Sequence, residues 1–217
     1  MEVMLLPTSI KIYHIVHIDR LRSIIDDGNL WSDARMIGRT GAGTTIGMCN
    51  IKARRMLLPV GCHPSENVGN FVPFHFCSRS VMLYLIHCAN HPELAYRGGQ
   101  GPIVHLECDL EAVLAWAEKY KRPWAISLSN AAASYSQFRC DRAGFAEINW
   151  EAVTSRDFRM PEVKEAKQAE FLVHDSFPWN LVERIGVLTN VIALQVIGIS
   201  QASAHRPKVE IQPSWYY

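Results

Sequence analysis

What is missing from these 217 residues narrows their function before any motif does. Net charge is nearly absent, +1 with the histidines neutral, so the chain does not advertise the strongly basic surface by which nucleic-acid-binding domains usually attract phosphate. No run approaches the roughly 20 apolar residues that span a bilayer, which points away from a membrane protein. The opening stretch, MEVMLLPTSIKIYH, has no basic region ahead of its short apolar patch, so no secretory signal is read and a cytoplasmic location is expected. Six cysteines, at 49, 62, 77, 88, 108 and 140, include no C-x-x-C pair and are expected to be reduced thiols. The nearest thing to a metal motif is HCANH, with His87, Cys88 and His91 and with Cys77 and Cys62 upstream; no second knuckle follows, and no metal is expected. No Gly-x-Gly-x-x-Gly follows a strand pattern, and GRTGAGTT lacks the Lys-Ser/Thr end of a P-loop, so neither common nucleotide motif is supported. Without repeats, low-complexity runs or linkers, residues 1–217 read as one α+β domain.

The charge that is present is unevenly placed. DARMIGRTGAGTTIGMCNIKARR carries Arg35, Arg39, Lys52, Arg54 and Arg55 against one acid, Asp33, so a basic patch can sit on a neutral protein. KIYHIVHI, dense in β-branched and aromatic residues, predicts a first buried strand. DRLRSIIDDGNLW predicts a helix with Asp19 as N-cap and Gly28 as its stop, and residues 32–45, with glycines at 38, 41 and 43, predict a loop. GCHPSENVGN reads as a second loop, FVPFHFC as a strand, and SRSVMLYLIHC as a helix capped by Ser78 or Ser80. GPIVHLECDL, EAVLAWAEK and PWAISLS read as strand, helix and strand, and NAAASYSQF as helical. LVERIGVLTN and VIALQVIGIS carry helix and strand patterns that periodicity does not separate, and PKVEIQPSWYY reads as a terminal strand.

One charge stands out by its place. In VKEAKQAEFLVHDSFPW, Glu170 directly precedes the apolar run Phe171, Leu172, Val173, after the polar Lys164, Glu165, Lys167 and Gln168. The chain passes there from a solvated segment into a buried strand. A carboxylate on that border is either a solvated strand-edge residue or a group held on a cleft wall for chemistry.

Several stretches together resemble one family: IYHIVHIDRLRSII, IKARRMLLPV, FVPFHFCSRSVMLYLI, YRGGQGPIVHL, AKQAEFLVHDSFPW and the ending WYY. They are similar, in order and over nearly the whole chain, to DarT, the DNA ADP-ribosyltransferase toxin of the DarT/DarG toxin–antitoxin pair. The resemblance implies the ADP-ribosyltransferase fold, an α+β domain with a split central sheet and an NAD cleft between its halves. It implies that Glu170 is the catalytic glutamate and that Gln168, on the same face of a strand, completes a Gln-x-Glu spacing. Arg55 matches the family arginine that contacts NAD and supports catalysis, with Arg54 the alternative if the register moves by one. His14, with the Ile15 backbone beside it, matches the first-strand anchor for nicotinamide and its ribose. His75 stands where many relatives have a tyrosine on the nicotinamide wall, and Asn130 where several have a histidine. An asparagine binds a base edge but exchanges no proton at neutral pH.

The implied acceptor is single-stranded DNA, modified on thymine; guanine, RNA or protein are the alternatives. A base nitrogen used in pairing is hidden in a duplex and open in a single strand. Arg79 matches a family arginine near the cleft. Arg156, Phe158 and Arg159, in the segment 154–164 before Glu170, suit a stacked base flanked by phosphates. Lys164 and Lys167 join the basic cluster as phosphate contacts, and Tyr135, Phe145 and Trp150 are further stacking candidates. The implied co-substrate is NAD, the implied partner a DarG-type macrodomain antitoxin, and no membrane is involved.

Overall fold

The computed structural model describes residue 7, residues 9–41 and residues 43–217. The reading of the first six residues therefore lies outside the described part. Strand β1 (Lys11–His17) passes through a single 3-10 turn into helix α1 (Leu21–Asp27). Gly28, at φ 67°, ends α1 as expected, because a left-handed residue is needed there to close the last turn. Asp19 does not cap α1, however. Its carboxylate instead accepts from the backbone N–H and the hydroxyl of Thr44 (3.0 and 2.6 Å), tying the glycine-bearing loop down. That loop also starts with more order than glycine content suggests: β2 (Asn29–Trp31) leads to α2 (Asp33–Met36), capped by the Ser32 hydroxyl.

Helix α3 (Cys49–Arg55) is followed by the hairpin β3 (Pro59–Val60) and β4 (His63–Asn67), in the stretch expected to be a loop. Polar side chains hid it, because a two-stranded edge hairpin has little to bury. Then come β5 (Phe71–His75), α4 (Val81–Cys88) capped by Ser80, β6 (Ile103–Asp109), α5 (Leu110–Lys119), β7 (Trp124–Ser127) and β8 (Phe138–Arg139). The NAAASYSQF segment forms successive turns rather than a helix. Asn130 starts them by accepting the Ala132 N–H on its side-chain oxygen, which diverts the backbone from helical bonding. Helices α6 (Trp150–Thr154) and α7 (Pro161–Ala166) precede β9 (Glu170–His174) and β10 (Ser176–Pro178). The two ambiguous segments resolve as β11 (Arg184–Val187) and α8 (Asn190–Ser200), and β12 (Lys208–Ile211) closes the order.

The main sheet has the order β12-β11-β6-β1-β5-β9-β7-β8. β1 pairs with β6 through seven residue pairs and β5 with β9 through five, whereas β1 and β5 share one pair, Tyr13 with His75. The sheet is therefore two ladders joined at a single point, the split that the resemblance implied, and a cleft opens where β1 and β5 part. β9 lies inside its ladder, covered on both faces, so Phe171, Leu172 and Val173 are all fully buried. Phe74, Phe171 and Phe177 carry the core between sheet and helices together with Ile12, Leu106 and Val113. The carboxy terminus packs back on the sheet: the Tyr216 hydroxyl donates to the Ile103 carbonyl (2.8 Å), and Trp215 lies so close to Gly186 that a Cβ there would stand 2.2 Å from its ring. Among the described residues no helix is long and apolar enough to cross a membrane.

Candidate active site

The cleft has a volume of about 300 Å³ and is lined from both ladders and from the segment between α1 and α3. His14 and Ile15 reach it from β1, Pro73 and His75 from β5, and Glu170 from the first position of β9. Arg55 enters from the last position of α3, off the sheet.

Glu170 is fixed at three points. Its backbone N–H donates to Ser127 Oγ (3.0 Å) on the neighbouring strand. Its carboxylate accepts from Arg55 Nη1 (3.1 Å to Oε1, 2.9 Å to Oε2) and from Nη2 (3.0 Å to Oε2). Both side chains are nearly buried, at 8 and 7 % exposure. A charge pair in that setting is held by geometry, because a planar fork matches a carboxylate and little water competes. Arg54, its neighbour, points outward, is exposed, and reaches only the Ala132 carbonyl at 3.5 Å. The helix thus turns Arg55, not Arg54, toward the carboxylate.

His14 Nδ1 lies 2.7 Å from the Pro73 carbonyl oxygen, across the gap between β1 and β5, so this nitrogen carries the proton and donates. Burial drives its pKa down to about 4, the Pro73 bond opposing only in part, and the ring is neutral at physiological pH with Nε2 left as an acceptor. His75 is likewise pushed down to about 4 by burial and then by the Arg55 and Lys167 cations, and its Nδ1 is buried without a hydrogen-bond partner among the described residues.

Gln168 lines the cleft, but not by strand alternation: it sits in the turn after α7, ahead of β9, and its amide donates to the Lys164 carbonyl (3.1 Å). Asn130 also lines the cleft, with its oxygen used in the turn and its NH2 group left to face a ligand.

The remaining sequence candidates lie elsewhere. Arg79 stacks on the Tyr217 ring at 4.2 Å. Phe158 packs edge-on to Tyr84 (5.2 Å) and near Tyr217, under the Lys167 ammonium. Arg156 is exposed, and Arg159 is exposed and folded onto Asp157 at 2.6 Å. Three expectations need correction. Lys167 is 3 % exposed, its ammonium donating to the Val153 carbonyl (2.7 Å) and facing Cys77, so it is not a solvated phosphate contact. Phe145 and Trp150, at 5 and 8 % exposure, are core residues, not stacking surfaces.

Sequence reading missed Arg20, Asp27, Trp31 and Met82, which also line the cleft. Arg39 pairs with Asp27 (2.7 Å) and Lys52 with Asp33, so part of the basic cluster is neutralised, by Asp33 within the same stretch and by Asp27 from outside it. The only signal for Arg20 was its place in DRLR, just after the first strand.

The fold thus brings Glu170, Arg55 and His14, the residues named by the family resemblance, to one cleft in a split sheet. Similarity to known proteins gives the class, an ADP-ribosyltransferase. The family described as ssDNA thymidine ADP-ribosyltransferase, DarT, matches residues 13–217, and the chain belongs to that family. A DNA ADP-ribosyl transferase of Thermus sp. (strain 2.9) is 35% identical over 214 residues, covering 97% of this chain and 98% of the relative. The structure of Thermus sp. 2.9 DarT in complex with ADP-ribosylated ssDNA superposes with a TM-score of 0.87 at 33% identity, covering 97% of this chain and 98% of that one. The same Thermus protein in complex with NAD+ superposes with a TM-score of 0.83 at 31% identity, covering 98% of this chain and 100% of that one.

Proposed function

We propose that this chain is a toxin that moves one ADP-ribose from NAD to a thymine of single-stranded DNA and releases nicotinamide. The observation that carries the reading is the buried two-point pairing of Arg55 with Glu170 on the wall of a cleft that His14 also lines. NAD fits the donors present. The Ile15 backbone and the His14 ring anchor nicotinamide and its ribose, His75 supplies the aromatic wall, and Arg20 in the cleft lining, with Arg39 and Lys52 in exchange for their present acids, is available to the diphosphate.

In the reaction the bond from ribose C1′ to the nicotinamide nitrogen breaks, and its electron pair leaves with nicotinamide. Positive charge spreads over the ribose ring. Glu170, preplaced and poorly hydrated, stabilises that charge more in the transition state than in NAD itself, which is the condition for acceleration. Thymine N3 forms the new bond to C1′ and gives up its proton, for which Glu170 is the acceptor within reach once Arg55 turns toward NAD. Gln168 and the Asn130 amide hold the base edge. Arg54, Arg79, Arg156, Phe158, Arg159 and Lys164 are the candidates for the DNA backbone and bases outside the cleft. A DarG-type macrodomain antitoxin is the partner expected of a family member, with action in the cytoplasm.

The test is mass spectrometry of short oligonucleotides, varied one base at a time, after incubation with NAD and enzyme, alongside RNA and protein acceptors. One ADP-ribose added to thymine-containing single strands, and not to the same sequence in a duplex, is the expected result. Modification that follows guanine, or that appears only on RNA or protein, would overturn the acceptor assignment.

A further inference from the structure

The turn of the β3–β4 hairpin brings two adjacent residues, Cys62 and His63, to Cys140, which directly follows the edge strand β8. One ligand atom from each of the three lies within 4.8 Å of the other two. Nothing in the ADP-ribosyl transfer uses them, and none of the three lines the cleft. We propose that Cys62, His63 and Cys140 form a binding site for a single Zn2+ ion that fastens the hairpin to the outer edge of the sheet.

The ligand types are those zinc selects, two thiolates and an imidazole, with water as the fourth ligand on the side where Cys140 is exposed. The histidine is prepared for the role. His63 Nε2 lies 2.9 Å from the Trp124 carbonyl oxygen and donates to it, so Nδ1 is the nitrogen left with a free lone pair. A metal-ligating histidine characteristically donates its other N–H to such a carbonyl, which fixes both tautomer and ring orientation. The ring is further held by stacking on Phe71 at 5.9 Å. Cys140 already approaches the hairpin, its sulfur 3.7 Å from the Cys62 carbonyl oxygen. Two Zn–S bonds of about 2.3 Å and a Zn–N bond of about 2.0 Å at tetrahedral angles put the sulfurs about 3.8 Å apart and each about 3.6 Å from the nitrogen, so the ion needs the cluster to contract by about 1.2 Å at most. On binding, both thiols release their protons to solvent and no oxidation state changes.

The HCANH motif, from which no metal is expected, is not this site. Cys62 and His63 are separated from Cys140 by 77 residues and more, a spacing no short-range metal motif carries. The hairpin follows α3, which carries Arg55, so the ion would brace the segment from which the catalytic arginine is presented.

The test uses the whole chain, reduced and stripped with chelator, titrated with Zn2+ by calorimetry and with Co2+ by absorption spectroscopy. The expected result is one equivalent bound, a thiolate-to-cobalt charge-transfer band with tetrahedral d–d bands, and a melting temperature raised by Zn2+. Cys140→Ser, at an exposed position that leaves the fold intact, should lose the stoichiometric site and the zinc-dependent melting shift while keeping the metal-free melting temperature. Cys62→Ser should lose the charge-transfer intensity as well. The proposal is overturned if the reduced protein binds no equivalent of Zn2+, if Cys140→Ser keeps the cobalt spectrum, if His87→Ala abolishes it, or if Cys62 and Cys140 are isolated as a disulfide that reduction and Zn2+ do not convert to the metal site.

Discussion

Two glutamates on the main sheet make closely similar ion pairs, and only one of them faces a cleft. Glu107 on β6 is 2 % exposed and accepts from Arg184 at Nε (2.9 Å) and Nη2 (2.7 Å); Glu170 on β9 is 6 % exposed and is gripped as tightly by Arg55. They even share a row. Cross-strand pairing runs Arg184, Glu107, Tyr13, His75, Glu170, Ser127 from β11 to β7. The difference lies in where the arginine comes from. Arg184 is the row neighbour of Glu107 and its other nitrogen is taken by Glu210 (2.6 Å), so that network is closed within the sheet. Arg55 arrives from a helix off the sheet, and the pair it makes is left on an open wall. Burial and bidentate geometry are therefore common to both glutamates, and what sets Glu170 apart is that its pair lines a cavity.

The sharpest way to break the comparison is to make the same isosteric change in both. Glu170→Gln should lower kcat for DNA modification by about 10³-fold or more, since it removes charge that acts mainly in the transition state. Single-turnover rates on a thymine-containing oligonucleotide, with circular dichroism to confirm folding, measure this; a near-normal rate would remove Glu170 from the chemistry. Arg55→Lys, which keeps charge but loses the fork, should cost about 100-fold in the same assay. Arg54→Ala should cost far less, and the reverse order would exchange their roles. Glu107→Gln should do the opposite of Glu170→Gln: a stability loss of about 2 kcal/mol in urea unfolding, reduced from the fully buried case because Arg184 is 30 % exposed, with kcat per folded molecule unchanged.

Phe158→Ala sharpens the contrast from outside the row. Its packing on Tyr84 and under Lys167 predicts a loss of about 1 kcal/mol in stability. If DNA modification falls while NAD binding and melting temperature hold, Phe158 instead contacts the acceptor. The smallest effect near neutrality concerns His75, which stands in the row between the two glutamates, together with His14 and His105. All three have folded pKa values near 4, below the ordinary 6.5, with burial the leading cause. Stability from keeping them neutral is fully present above pH 6.5 and is lost as pH falls toward 4. Urea midpoints measured across that window should decline, and His105→Gln should flatten the decline without altering the NAD site.

Local pattern carried a large share of this structure. The β-branched first strand, the Gly28 stop, the Ser80 cap and the apolar run after Glu170 all state their conformation within a few residues, because backbone sterics, capping and side-chain period act over that range. The polar β3–β4 hairpin and the Asn130 turns were not legible, since one buries too little and the other depends on a single side-chain bond. The site divides in the same way. Glu170, Arg55 and His14 could be named through the family resemblance, but not the fact that residues 115 apart form a buried two-point pair. Nor does sequence show that Lys167 turns inward while Lys164 stays exposed, or that Cys62 and Cys140 meet. Those outcomes depend on which strands become neighbours, and chain closure over such distances is decided by burial summed over the whole core, to which any one residue contributes a small part.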